Sequence, residues 1–60
     1  MHRNMMHMQR GAAIKRRLAQ IDADVAVRHA RGDRTDVNEL LDERLELADA
    51  LVTLRSQLLA

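Results

Sequence analysis

Between Val37 and Leu59 apolar residues recur on two helical stripes at once. One runs Val37, Leu40, Leu47, Leu51, Leu54, Leu58, and the other Leu41, Leu45, Ala48, Val52, Leu59. Steps of three, four and seven are the period of a helix, not the alternation of a strand. The stripes are adjacent, so the apolar face is wider than a single neighbouring helix covers. This segment therefore needs more than one partner. The first half of the chain supplies a narrower complement: Ile14, Leu18, Ile21 and Val25 form one stripe only.

No proline breaks either pattern. The chain is rich in Ala, Leu, Arg and Glu, which are good helix formers. The spacing predicts helices over about 12–31 and 36–59, the first able to start earlier, since helical Met8–Gly11 would equalise their lengths; RGDRTDVNE separates them. Gly32 suits the left-handed residue that follows a last helical turn. Thr35 or Asp36 can cap the second helix, and Asp36 with Glu39 reads as an aspartate form of the capping box. Asp33 and Asp36 also suit the positive end of that helix. A connection this short makes the two helices antiparallel neighbours. Arg31-Gly32-Asp33 spells an adhesion tripeptide, but a glycine ending a helix and an aspartate in a turn account for it.

Size decides how such a hairpin becomes stable. With 60 residues the core is marginal, because a domain of this length hides only about 60% of its unfolded surface. There is no cysteine, so disulfides and thiolate metal sites are excluded, and there is no Phe, Tyr or Trp to enlarge the core. Association remains. The expected fold is all-α: an antiparallel helical hairpin that homodimerises into a four-helix bundle. Its core and interface would be Ile14, Leu18, Ile21, Val25, Val37, Leu40, Leu41, Leu45, Leu47, Leu51, Val52, Leu54 and Leu58. A partner protein's helix would serve the same purpose. Residues 11–60 form the hairpin domain, preceded by an arm, 1–10, that is frayed or partly helical.

The net charge of +1 conceals a strong asymmetry. Residues 1–21 and 50–60 hold Arg3, Arg10, Lys15, Arg16, Arg17 and Arg55 and no acid. Residues 22–49 hold four arginines and nine acids, a net of −5. An antiparallel hairpin brings both termini to one end, so the rod has a basic open end and an acidic turn end. Two readings follow. Two hairpins can pack head to tail with opposite charges facing, as flanking charges orient helical bundles. Alternatively Arg3, Arg10, Lys15, Arg16 and Arg17 contact the phosphates of a nucleic acid. The first is preferred, since the chain is far from strongly basic and lacks aromatic residues that stack on bases.

Catalytic constellations are missing. Ser56, the only serine, should lie near the open end and His29 near the turn, too far apart for a nucleophile and its base. His29 and Asp33 are spaced to pair at the end of the first helix, which is capping rather than catalysis. Asp42, Glu43, Glu46 and Asp49 fall on the polar side of the second helix, without the Glu-x-x-His motif of di-iron bundles. Arg28, Arg44 and Arg55 interrupt the apolar stripes. They are expected to lay their stems on the core and reach water or an acid such as Asp24 or Glu46, rather than to form an anion pocket.

The opening MHRNMMHM is rich in soft ligands, yet His2 and His7 fall on different faces of a helix and the methionines form no repeated ligand set. Gly11 marks a start or a weak point of the first helix, Asn4 could cap an extra turn, and Met8 is placed to cover Leu58 or Leu59. No metal, cofactor or enzymatic activity is expected. Nothing resembles a signal peptide or a membrane span, so the expected location is the cytoplasm. The function expected is protein–protein interaction by a small adaptor, regulator or chaperone-like subunit through the leucine face of the second helix. Nucleic-acid binding at the basic end is the alternative.

Overall fold

The computed structural model describes the backbone of residues 2–59 and the side chains of residues 9–59. It is all-helical, with no strand among the described residues: α1 spans His2–Arg31 and α2 spans Val37–Leu59, packed against each other as an antiparallel hairpin. The rod measures 46 × 15 × 13 Å. Thirty helical residues at about 1.5 Å each account for its length.

The helix α2 begins one residue after the position expected from its cap. By contrast α1 begins ten residues before residue 12, where the apolar stripe of the first half starts to be legible. The reason lies at Gly11. Glycine costs a helix about 1 kcal/mol relative to alanine, but here it lies against α2. A methyl group built on it would meet Leu54 Cδ2 at 3.5 Å and Leu51 Cδ1 at 4.0 Å. Packing of the two leucines over this bare backbone offsets the glycine's low propensity, and the helix continues through it. The side chains of Arg3, Asn4 and Met8 lie outside the described residues, so the expected phosphate contact, cap and gap-filling role are not placed.

The turn closes by backbone hydrogen bonds. Gly32 has φ +67°. Its N–H donates to the His29 carbonyl at 3.1 Å, and the Asp33 N–H donates to the Arg28 carbonyl at 2.8 Å. These are the paired bonds of a Schellman motif with glycine in the left-handed position. The capping box at Asp36 does not form. Asp36 has φ +60°, which its short polar side chain tolerates, whereas a side-chain cap requires extended backbone. Its carbonyl accepts the first helical bond, from Leu40 N–H at 3.0 Å. The turn is held instead by Asp33, whose carboxylate accepts from Thr35 N–H at 2.9 Å. Hydrogen bonding from Thr35, its side chain first and this backbone N–H second, holds the Asp33 carboxyl below the usual carboxylate range. Among the described residues His29 and Asp33 form no ion pair.

Candidate functional site

One stripe of α2 faces α1 and the other faces outward. Ile21 is 0% exposed and Leu54 is 7% exposed. Around them Ile14, Leu18, Val25, Val37, Leu40, Leu47 and Leu51 are half-buried. On the outer stripe Leu41 is 46% exposed, Leu45 64%, Val52 64% and Leu59 82%. Val27 and Leu58 are about half exposed as well.

Two ion pairs fix which stripe turns inward. Arg17 grips Glu43 with both arms of its guanidinium, Nε to Oε2 at 2.5 Å and Nη2 to Oε1 at 2.7 Å. Arg44 Nε reaches Asp22 Oδ1 at 2.7 Å. On a helical projection the pairs lie on opposite flanks of the helix–helix seam, so they bracket the inner stripe from both sides. The hydrogen bond to Arg17 holds the Glu43 carboxyl below its ordinary range and raises the Arg17 guanidinium in return.

The arginines that interrupt the stripes do not converge. Arg28 reaches backbone rather than a carboxylate: Nε donates to the Thr35 carbonyl at 2.8 Å and Nη1 to the Asp24 carbonyl at 3.3 Å. It ties the loop to the last turns of α1. Arg44 is engaged by Asp22. Arg55 stands three turns further along α2, about 16 Å away, beside Lys15 in a shallow groove at the open end. Ser56 and His29 are separated by roughly 30 Å of helix.

Among the described residues, the candidate phosphate contacts do not all share one side of the seam. Arg17 is taken up by Glu43. Arg10 lines a groove of about 220 Å³ with Ile14, Ala50 and Gln57 on one side of the seam. Lys15 lines a groove of about 290 Å³ with Ala12, Leu51, Arg55 and Leu58 on the other. Leu54 floors both. A third cleft, about 480 Å³, lies at the turn between Val25, Arg28, His29, Arg34 and Val37. It is the space left beneath the loop that Arg28 ties down.

The most coherent surface is the side that carries Lys15, Asp22, Arg44 and Arg55. The outer leucine stripe of α2 flanks it on one edge. On the other edge α1 presents exposed alanines at heptad-like spacing, Ala12, Ala19, Ala23, Ala26 and Ala30. Apolar residues thus run along both helices on this side of the rod, a feature legible as an alanine series in residues 12–30 only once the inner stripe is known. Among the described residues no group of three His, Asp or Glu side chains is placed to hold a metal ion. None of the described helices is long and apolar enough to cross a membrane. No family model, no curated protein and no solved structure matches this chain.

Proposed function

We propose that the chain is a small, non-enzymatic protein–protein interaction module, an adaptor, regulator or chaperone-like subunit. It works in the cytoplasm through the outer face of α2 and completes its core by homodimerising into a four-helix bundle. The observation that carries this reading is the exposure of Leu41, Leu45, Val52 and Leu59 on one stripe. Eighteen residues of helix separate its ends, roughly 27 Å. A line of large apolar side chains on that scale is what an amphipathic partner helix lies against, and scattered single leucines would not need such an explanation.

The test is molar mass in solution by light scattering across a dilution series, with helicity followed in parallel. A dimer that Leu45→Asp combined with Val52→Asp converts to a monomer supports the reading. A fully helical, stable monomer at every concentration overturns it.

Nucleic-acid binding stays as a second reading because Lys15, Arg16 and Arg55 are exposed and none of them takes part in an ion pair among the described residues. Lys15→Gln with Arg16→Gln tests it better than any change at Arg17, whose loss also breaks the bond to Glu43. If this reading holds, the double variant keeps its helicity, and the slope of log affinity against log salt falls by about two.

A further inference from the structure

We infer that the uncovered face is filled by a second copy of this chain laid antiparallel along it, so that α2 packs on α2 and α1 on α1. This deepens the interaction reading above and rests on it. Area gives the first support. The hairpin exposes 5218 Å², whereas a compact monomer of 6.9 kDa exposes about 4,000 Å². The excess of about 1,200 Å² reflects the elongated rod and leaves room for the roughly 800 Å² that each partner loses in a standard interface.

Shape gives the second. Both helices turn apolar residues to the same side, large ones on α2 and alanines on α1. A copy related by a two-fold axis perpendicular to the rod sets leucine stripe on leucine stripe and alanine stripe on alanine stripe. The α2 pair is then held apart by leucines, while small residues let the α1 pair approach closely. Interaxial distance follows side-chain size in this way.

Charge decides polarity. A two-fold axis along the rod would instead place α1 on α2 and bring both open ends together, each carrying Arg3, Arg10 and Arg55 and no acid, while Lys15, Arg16 and Arg17 lie near the middle of α1. The perpendicular axis lays each basic open end against the other copy's acidic turn end. It also brings Arg55 of one copy beside the stretch Asp42–Asp49 of the other. Opposed charges of this kind select orientation in helical bundles. The middle of the rod falls near Ala48 on α2, so Ala48 lies close to its own symmetry mate, while the two turns stand at opposite ends.

The chain's lack of cysteine makes single-cysteine probes clean. Ala48→Cys and, separately, Arg34→Cys are treated with a short bis-maleimide, alongside light scattering of the untreated chain. Ala19→Cys serves in place of Ala48→Cys if that variant loses helicity. The expected result is a dimer in which the mid-rod cysteines link and Arg34→Cys does not. A dimer in which Arg34→Cys links and the mid-rod cysteines do not overturns the antiparallel arrangement and leaves the interaction reading standing. A monomeric untreated chain, linked at neither position, overturns both.

Discussion

The two apolar stripes of α2 are built from the same residue types on the same helix, yet one is core and the other is surface. Val37, Leu40, Leu47, Leu51 and Leu54 turn toward α1, while Leu41, Leu45, Val52 and Leu59 turn away. Nothing in the hydrophobicity of leucine distinguishes them. The difference comes from α1, whose single stripe of Ile14, Leu18, Ile21 and Val25 can fill only one, and from the Arg17–Glu43 and Arg44–Asp22 pairs that straddle it. Exposed ion pairs contribute little to stability by themselves. Here their effect is on choice, because a rotation of α2 that brought the outer stripe inward would separate both pairs. A helix that is apolar over a wide face thus has its burial assigned by its neighbour.

The sharpest way to break this contrast is at its most buried point. Ile21→Ala is expected to cost about 2–5 kcal/mol, much of the stability of a 60-residue domain, as read by urea unfolding. A loss under about 1 kcal/mol would mean that the inner stripe is not the core. Leu45→Ala probes the outer stripe. In a bundle it is expected to cost about 2 kcal/mol, with a midpoint that falls on dilution. A change within about 0.5 kcal/mol, independent of concentration, is what a solvated leucine gives and would leave the outer stripe uncovered.

Smaller effects sharpen the same comparison. Gly32→Ala forces an alanine into φ +67° and should cost about 1–2 kcal/mol, loosening the turn that sets the two helices in register. Gly11→Ala should act oppositely. Its new methyl meets Leu54 at an ordinary contact distance, so the helix gains about 1 kcal/mol and thermal unfolding shifts upward. Should Gly11→Ala destabilise instead, Leu54 must sit closer to the added methyl than 3.5 Å.

The smallest effect expected is in acid. Glu43 is held below its usual range by the hydrogen bond from Arg17. The folded state therefore takes up its proton less readily than the unfolded chain does. The stability this contributes is complete above the unfolded value and is lost as pH falls through the folded one. Glu43→Gln should flatten that part of the acid unfolding profile while leaving the neutral-to-alkaline part parallel to the parent. An unchanged acid limb would show that Arg17 does not hold Glu43 in solution.

Residue order alone determined that there are two helices, that they are antiparallel and that the turn lies at Gly32. These follow from local rules: the period of the apolar residues, the absence of proline, and a glycine where the chain must turn left-handed. The same rules located the start of α2 to within one residue. They left the start of α1 open between residues 8 and 12 and missed how far it extends, because Gly11 is a weak helix former in isolation and becomes a packing site only once Leu54 lies over it. They also offered Thr35 or Asp36 as the second cap, whereas Asp36 adopts a left-handed backbone and Asp33 holds the turn. The tertiary structure decided which leucines are core, since that depends on where α1 sits and not on the leucines. It also decided that Arg17 faces a carboxylate while Lys15 and Arg16 stay exposed. Local rules act within a few residues of one another, whereas Arg17 and Glu43 are 26 positions apart and meet only when the hairpin closes.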